Sequence, residues 1–513
     1  MNMLSKLSLF IMFVFIVLFI RVELVPAQKQ TEVPSALSVA DTHADKFTVI
    51  HGKRQLFLDD YAVQEVSGLV RTMHQPEKKG AVIKPDPANP EVNCIQIRTA
   101  PIWDPQKKVW KLWDCSTPND LHAQQFYCSG YYESRDGLNW IRPIVDQIEY
   151  HGSKNNNYIS IMIRGKHYRP DCVVYDPTEP DPAQRYKTAI GDVGFAVSPD
   201  GIHWKEVDIP GVKSFDEYNF SFDRENHLFI FTVKLEGPHG RSVWLSTSDD
   251  FKHWTKPELI FSTDDLDQTL AREIINQRCS DSTLTQPVYN NPENYNADVY
   301  NMGLFRYEGL YIGVPAIYHA TGKDGDNTDG FHLVQLVCSR DLHTWQRLGD
   351  RKAFIGPSKV GGDAYDLTQI IGPSYPVVRG NELWLYYTGL KYRSTPKNPD
   401  PYFGAVCLAV LRRDGFVSLD AGEKEGWVLT KLFEVPKGSL HINVDASHGR
   451  MVVQVYDEKD HLIPGFETSE TILGNHFDTP VHWKNANLRK LIGKKVRLRI
   501  TLQNAQLYSF WIQ

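Results

Sequence analysis

The sequence lacks several features that mark common classes of function. Its 513 residues contain no long block of like charge, and the formal net charge is −6. Composition therefore gives no support for binding to nucleic acid or to a membrane surface. The seven cysteines form no Cys-x-x-Cys pair and have no Cys/His spacing, which argues against a zinc site. The chain is 42% hydrophobic and 12% aromatic, so it can bury a large core and is predicted to hold more than one domain.

A membrane-spanning apolar run is also missing. Residues 7–20, LSLFIMFVFIVLFI, follow Lys6 and fall short of the roughly 20 residues that a spanning helix needs. VPA precedes Gln28 as a small-residue cleavage site. Residues 1–27 are predicted to be a secretory signal peptide, with an uncleaved signal anchor as the alternative. The mature protein is expected to be secreted or periplasmic and free of the membrane, where oxidation could bridge a pair such as Cys115 and Cys128.

What the sequence does contain is a short repeat. SRDGLNW at 134–140 returns as SPDGIHW at 198–204, SDDFKHW at 248–254 and SRDLHTW at 339–345, with a degraded fifth copy, RRDGFVS, at 412–418. Three short runs rich in β-branched and aromatic residues precede each copy, separated by Asp, Asn, Gly and Pro. The Trp falls at the start of a fourth run.

Groups of four strands with a repeated turn signature predict a β-propeller, here with five blades. The Ser and Asp of each copy are expected to hydrogen-bond backbone amides of the turn, and the Trp to fill the wedge between blades. We predict an N-terminal segment at 28–80 and the propeller at 81–430. Strict alternation from residue 436 onward predicts a C-terminal β-sandwich at 431–513.

The blade pattern, together with HYRPDCVVYDPTEPDPAQRYK at 167–187, resembles glycoside hydrolases of families 32 and 43. The segments at 56–83 and 493–512 resemble an exported bacterial group of family 32-like proteins. The resemblance implies an exported glycoside hydrolase with acidic residues at the propeller axis, on the innermost strands of the first three blades. One carboxyl group would protonate the leaving oxygen, and the other would act as nucleophile or activate water.

The second and third blades offer carboxylates at these positions. Asp171, behind Arg169, matches the transition-state stabiliser that the resemblance implies for blade two. In blade three, SFDEYNF contains Asp216, Glu217 and Asn219. Glu217 is the best candidate for the general acid, although alternation does not decide whether Glu217 or Asp216 points to the axis.

The first blade departs from the family pattern. The characterised families place a catalytic Asp there, whereas NCIQIRTAPIW at 93–103 offers Arg98 or Thr99. Acids of later blades could substitute: Asp298 precedes the inner strand of blade four and Asp366 that of blade five. Arg98 and Arg169 would suit a sugar bearing carboxylate or sulfate, unless each pairs with a neighbouring acid. The predicted substrate-binding residues are Arg98, Arg169, Asn219, Asp298, Asn301, His319 and Asp366.

Three functions therefore remain open at the level of sequence. The first is a hydrolase that acts on a polysaccharide or oligosaccharide, and the second is a carbohydrate-binding propeller without catalysis. The third and weakest is a cell-surface module that binds another protein. Some related propellers hold a cation such as calcium in the central channel, but no ligand spacing indicates a metal here, and no cofactor is expected.

Overall fold

The computed structural model describes residues 46–513, so the predicted signal peptide lies outside the described part. Five antiparallel sheets of four or five strands follow one another along the chain, and a ten-stranded sheet is built mostly from the C-terminal residues. The chain is an all-β protein, and the prediction of a five-bladed propeller with an additional C-terminal β-domain is confirmed.

Each blade is a separate hydrogen-bonded sheet. Blade one contains Ile102–Asp104, Val109–Trp113, Ser129–Ser134 and Trp140–Ile141, with Tyr158–Ile159 added. Blade two contains Val173–Tyr175, Tyr186–Ile190, Gly194–Ser198 and Lys205–Val207. Blade three contains Tyr218–Asp223, Leu228–Gly237, Gly240–Ser248 and Glu258–Phe261. Blade four contains Asn296–Tyr307, Leu310–Asp324, Val337–Ser339 and Gln346–Arg347, with Asn327–Val334 added. Blade five contains Gln369–Ile371, Val377–Arg379, Glu382–Leu390, Gly404–Arg412 and Glu77–Ile83.

The outermost strand of blade five comes from the N-terminal part of the chain. Glu77–Ile83 pairs antiparallel with Gly404–Arg412, more than 300 residues later in the sequence. Val417–Ala421, which begins within the fifth repeat copy, does not join blade five and instead pairs with Val70–Met73 and Ala505–Ile512. The ring of blades is thus closed by hydrogen bonds between distant segments.

The four complete repeat copies form the same turn. In the first copy, the Ser134 hydroxyl accepts from the N–H groups of Asp136 and Gly137, and the Asp136 carboxylate accepts from the N–H groups of Leu138 and Asn139. The residue after the Asp has a positive φ in every complete copy, which explains the frequent Gly: 75° at Gly137, 77° at Gly201, 64° at Phe251 and 70° at Leu342. The Trp Nε1 donates to the carbonyl of that same residue in all four copies.

These turns also join neighbouring blades. Trp113 of blade one donates from Nε1 to the Gly201 carbonyl in the turn of blade two, at 2.7 Å. Tyr386 of blade five donates to the Gly137 carbonyl in the turn of blade one, at 2.8 Å. The repeat is therefore part of the scaffold.

The fifth copy has a different structural role. Asp414 is fully buried and has a φ of 63°. Its carboxylate accepts from Arg54 at 2.6 Å, from Tyr307 at 2.7 Å and from Ser509 at 2.6 Å. Because Tyr307 belongs to blade four and Ser509 to the C-terminal sheet, Asp414 connects the two parts of the fold.

The C-terminal sheet also includes strands from the N-terminal segment. Its members are Gln55–Leu56, Val63–Ser67, Val70–Met73, Val417–Ala421, Gly426–Thr430, Phe433–Glu434, Leu440–Asp457, Ile472–Pro480, Lys495–Gln503 and Ala505–Ile512. The 18-residue strand Leu440–Asp457 pairs with three of the others. Alternate residues of Lys495–Gln503 are buried, as expected for a strand with one face on a core.

Helical structure is confined to connections. The α-helices are Asn119–Ala123 and Asp265–Ser280, and the 3₁₀ helices are Pro182–Gln184, Pro292–Asn294, Gly349–Arg351 and Leu488–Leu491. Asp264 and Asp267 form a reciprocal capping box at the start of the longer α-helix. A separate hairpin, Ile161–Ile163 with Lys166–Tyr168, lies between blades one and two. None of the helices between residues 46 and 513 has the length and apolar character of a membrane span.

All seven cysteines are free thiols in this structure. Five of them are buried, including Cys115 and Cys128, and burial raises the pKa of Cys115 to about 12. A bridge between Cys115 and Cys128 is therefore not formed.

Candidate active site at the propeller axis

The candidate site is built from the segments that lead into the inner strands of blades one to three. Arg98 lies four residues before Ile102–Asp104, Asp171 two residues before Val173–Tyr175, and Glu217 one residue before Tyr218–Asp223. Inner strands of a propeller surround its axis, so side chains at their starts converge at one end of it. All three side chains are buried, with exposed fractions of 8%, 4% and 6%.

Arg98 and Glu217 form a two-pronged ion pair. Arg98 donates from Nε to Oε2 of Glu217 at 2.5 Å and from Nη2 to Oε1 at 2.6 Å. Burial alone would lower the pKa of Arg98, but the adjacent Glu217 holds that pKa well above its ordinary value. Both oxygens of Glu217 accept N–H bonds from one guanidinium, the two-pronged geometry typical of Arg–carboxylate pairs.

The backbone and neighbours of Arg98 hold this pair in place. Arg98 also donates from Nη1 to the Ile97 carbonyl at 2.9 Å and from Nη2 to Oε1 of Gln96 at 3.1 Å. Asn219 donates to the Arg98 carbonyl at 3.2 Å and accepts from Ser374 at 2.8 Å. Asn219, predicted to bind substrate, thus supports the segment that carries Arg98.

Asp171 lies in a different electrostatic environment. Its side-chain partners are the Tyr218 hydroxyl at 3.4 Å and Arg169 Nε at 3.6 Å, so both contacts are long. Burial raises the pKa of Asp171, and Arg169 and Arg98 offset part of that increase. Arg169 gives its short hydrogen bond to the Cys115 carbonyl, at 2.6 Å. Asp171 is therefore a carboxyl group that can carry a proton.

Asp216 and Glu217 point to different places, which alternation alone does not decide. The Asp216 side chain is 73% exposed and pairs with Lys234 at 2.5 Å. The Lys234 side chain is only 3% exposed and its Nζ lies 4.2 Å from the ring centroid of Tyr300. Glu217 is thus the inward-facing acid of blade three, and Asp216 lies at the surface.

In blade four, Asp298 is held by an arginine of blade three. Arg241 donates to both carboxylate oxygens of Asp298, at 2.8 and 2.7 Å. The same guanidinium lies 5.1 Å from the ring centroid of Tyr300 and 4.7 Å from that of Tyr318. The side chains beside the axial acids thus form a layer that consists of Asp298, Arg241, Tyr300 and Tyr318.

Asn301 lies next to this layer and lines a small cavity between blades three and four. The cavity measures about 10 Å³ and is also lined by Glu217, Lys234 and Tyr300. Within residues 46–513, neither amide atom of Asn301 has a hydrogen-bond partner, although both are buried. The volume matches roughly one water molecule, which would satisfy the amide.

His319 and Asp366 do not contact the axial acids. His319 stacks on Phe331 with ring centroids 5.0 Å apart, and burial lowers its pKa to about 4. Asp366 pairs with Lys78 of the closing strand at 2.7 Å and accepts from the Tyr387 hydroxyl at 2.8 Å. Asp366 thus stabilises the closure of blade five.

Several members of this region were not predicted from the sequence. Four of them lie on long apolar strands, and the apolar pattern predicts only that these strands are buried: Lys234, Arg241, Tyr300 and Tyr318. Asp114 of blade one was missed as well. Burial raises its pKa to about 6, and it accepts from Ser116 N–H, Gly130 N–H and the Tyr132 hydroxyl. These three bonds make Asp114 a support of its own blade.

No group of three or more His, Cys, Asp or Glu side chains in the described part of the chain is arranged to hold a metal ion. The four basic residues of the region, Arg98, Arg169, Lys234 and Arg241, each lie beside a carboxylate. For Arg98 and Arg169, the structure thus agrees with the alternative in which each arginine pairs with a neighbouring acid. The arrangement offers one carboxylate bound by an arginine and one protonatable carboxyl group at the same end of the axis.

No protein-family model matches the sequence, and no curated protein matches it either. Solved structures similar to this chain include the catalytic domain of a Coprinopsis cinerea family 62 α-L-arabinofuranosidase (TM-score 0.39, 11% identity, 66% of this chain and 97% of that one). An N-acetylgalactosamine deacetylase from F. plautii, in complex with blood group B trisaccharide, gives a TM-score of 0.38 at 14% identity over 68% of this chain and 97% of that one. A Bombyx mori family 32 β-fructofuranosidase gives 0.35 at 9% identity over 85% and 94%. Similarity at this level assigns no role to any residue, so the site is interpreted from its own geometry.

Proposed function

We propose that the protein is an exported glycoside hydrolase that cleaves a polysaccharide or oligosaccharide at the axial site, with Asp171 and Glu217 as its two working carboxyl groups. The class of substrate follows from the resemblance of the blades and of the segment at 167–187 to glycoside hydrolases of families 32 and 43. Export follows from the apolar run at 7–20 and the VPA segment before Gln28.

The observation that carries the proposal is the contrast between the two acids. Glycoside hydrolysis needs one carboxyl group that holds a proton and one that is ionised, and environments that differ in this way assign the two roles. Burial raises the pKa of Asp171, which suits a general acid. The two N–H bonds from Arg98 keep Glu217 as a carboxylate, which suits a nucleophile or a base.

These roles differ from those that the family resemblance implies, in which Asp171 is a transition-state stabiliser and Glu217 the general acid. A Glu217 held by Arg98 is a poor proton donor, because protonation would break one of two charge-assisted hydrogen bonds. With Glu217 in the role of nucleophile or base, the carboxylate missing from blade one is not required. Arg98 would then work as the residue that keeps the blade-three carboxylate charged and oriented.

A carbohydrate-binding propeller without catalysis is the second candidate, and the same ion pair favours it. Arg98 occupies both oxygens of Glu217, so an attack by Glu217 on a sugar carbon must compete with two strong hydrogen bonds. A site in which every charge is paired can still bind a neutral sugar through hydroxyl groups and aromatic faces.

The experiment that separates the two candidates measures binding and cleavage on the same ligands. The purified protein is tested against an oligosaccharide array, and each bound glycan is incubated with the protein and analysed by mass spectrometry. Release of a shorter glycan or a monosaccharide supports hydrolysis. Binding without release supports the second candidate, and the absence of any glycan binding contradicts both.

A further inference from the structure

A second cavity, lined by none of the axial acids, lies between blades four and five. It measures about 320 Å³, within the usual range of small-molecule sites. Its walls come from the end of the long helix, from the loops at 285–288 and 361–368, and from the segment at 391–400. The side chains that matter for its chemistry are Arg278, Asp329, Lys391, Arg393, Ser394 and Asp400.

The acids in this cavity are already occupied. Asp329 is buried and accepts from the backbone N–H groups of Val288, Tyr289, Gly330 and Ser394. Asp400 pairs with Lys391 at 2.5 Å. Among residues 46–513, neither carboxylate forms a salt bridge with Arg278 or Arg393, the two guanidinium groups that line the same space.

Arg278 is a buried cation with unused hydrogen-bonding capacity. It is 3% exposed, and its Nη2 donates to the carbonyls of Thr285 and Leu367, each at 2.7 Å. Among residues 46–513, its Nη1 has no hydrogen-bond partner and the guanidinium forms no salt bridge. Its Nε donates to the Thr285 carbonyl at 3.1 Å, and the guanidinium carbon lies 4.4 Å from the ring centroid of Phe331.

Two further donors of the cavity are free or weakly held. The Ser394 hydroxyl is buried and has no partner within the described range. Arg393 makes two long bonds, to the Thr328 carbonyl and to Oδ1 of Asn327, both at 3.3 Å. No salt bridge to Arg393 is formed among these residues. A buried cation without a counter-charge is costly, and donors without partners are rare in protein interiors.

We propose that this cavity binds the anionic group of a small ligand, a carboxylate or a sulfate, through Arg278, Arg393 and Ser394. A guanidinium and a hydroxyl donate to planar and tetrahedral oxyanions in this way. That the group belongs to an acidic sugar rests on the proposed function; the anion site itself does not. The sequence suggested that Arg98 and Arg169 bind an acidic sugar. That role is assigned to Arg278 and Arg393 instead.

Isothermal titration calorimetry tests this with glucuronate, galactose 6-sulfate and sodium sulfate, and with glucose as the neutral control. We expect at least one anion to bind and glucose not to bind at this site. Arg393→Gln and Ser394→Ala should each weaken binding, the former by about tenfold or more. Arg272→Gln, on the same helix but outside the cavity, should leave binding unchanged. Arg278→Gln is included where circular dichroism shows that it folds.

The outcomes distinguish this site from the axial one. Glucuronate binding without sulfate binding indicates a planar carboxylate ligand, and the reverse indicates a tetrahedral one. Binding that persists in Asp171→Asn and is lost in Arg393→Gln supports the proposal, whether or not the protein cleaves glycans. The proposal is overturned if no anion binds, if Arg393→Gln and Ser394→Ala bind as well as the unchanged protein, or if Asp171→Asn abolishes binding.

Discussion

Arg98 has the strongest influence on the chemistry of the axial site. It stands where the family resemblance of the sequence implies a carboxylate, and it binds both oxygens of the acid from blade three. A cation at this position changes what Glu217 can do, because an acid that accepts two charge-assisted bonds is held ionised. In the proposed mechanism, Asp171 is the group that donates the proton, because burial raises its pKa.

The first prediction concerns the cost of breaking this ion pair. Arg98→Met should lower the free energy of unfolding by about 3–5 kcal/mol, since it leaves Glu217 buried without its counter-charge. Adding Glu217→Gln to Arg98→Met should restore much of that loss. Urea unfolding of the single and double variants measures both effects. Arg142→Met, at an exposed pair, serves as control and should cost less than about 1 kcal/mol. If Arg98→Met were as stable as Arg142→Met and the unchanged protein, that result would contradict the buried ion pair.

The second prediction concerns pH. A general acid must be protonated to act, so turnover should fall as pH rises through the pKa of Asp171, which burial raises. The charged groups that act on Asp171 are Arg169, Arg98 and Glu217. Arg169→Gln removes a positive charge that lowers this pKa, and it should therefore move the alkaline limb of the kcat profile to higher pH. A limb that stays in place or moves to lower pH would argue against Asp171 as the acid.

At the scale of elements, the repeated turn explains why the blades could be predicted. Ser, Asp and Trp at fixed spacing report a local hydrogen-bond pattern, and the structure repeats that pattern four times. The fifth copy kept the Asp but not the Trp, and its Asp414 serves a contact with the C-terminal sheet instead. A local motif is predictable from sequence because its partners lie within a few residues.

The third prediction tests the contact between a turn and the neighbouring blade. A Cβ on Gly201 would lie 2.4 Å from Cζ2 of Trp113, whereas a Cβ on Gly52 would meet nothing within 4 Å. Both glycines have φ near 75°, so each substitution by Ala carries a backbone cost of about 1–2 kcal/mol. Gly201→Ala adds overpacking of about 1–3 kcal/mol. Thermal unfolding should show the larger loss for Gly201→Ala, and equal losses would contradict the contact.

The candidate site was predictable in part, for the same physical reason. Asp171 and Glu217 follow from counting back from a turn to the start of an inner strand. The partner of Glu217 could not be predicted in this way, because Arg98 lies 119 residues away and only the closed ring brings the two together. Lys234 and Arg241 sit in strands that are apolar in sequence, so the local pattern hides their charges.

At the scale of the whole molecule, the first described residues are integral to both β-domains. Four strands between residues 46 and 83 join later parts of the chain: three enter the C-terminal sheet and Glu77–Ile83 closes blade five. Such pairing removes the exposed edge that an open propeller would have. It was not evident from the sequence, since strand pairing over hundreds of residues leaves no local signal.

The fourth prediction follows from this closure. A chain that begins at residue 84 loses all four strands, whereas one that begins at residue 46 keeps them. We expect the shorter chain to aggregate or to unfold without cooperativity, and the longer one to show a single cooperative transition by circular dichroism. A shorter chain that unfolds cooperatively at the same temperature would show that the closing strand is dispensable.

The fifth prediction concerns the function of the whole protein and gives the most direct test of hydrolysis at the axial site. The quantity to measure is kcat/KM on a glycan that the protein is found to cleave. Asp171→Asn and Glu217→Gln keep the shape of each side chain but remove its charge or its proton, and each should lower kcat/KM by about 10²–10⁴-fold. Asp216→Asn, at the exposed neighbouring acid, should leave it within a few-fold. Normal turnover in both Asp171→Asn and Glu217→Gln, or a glycan that is bound and never cleaved, would contradict hydrolysis at the axial site.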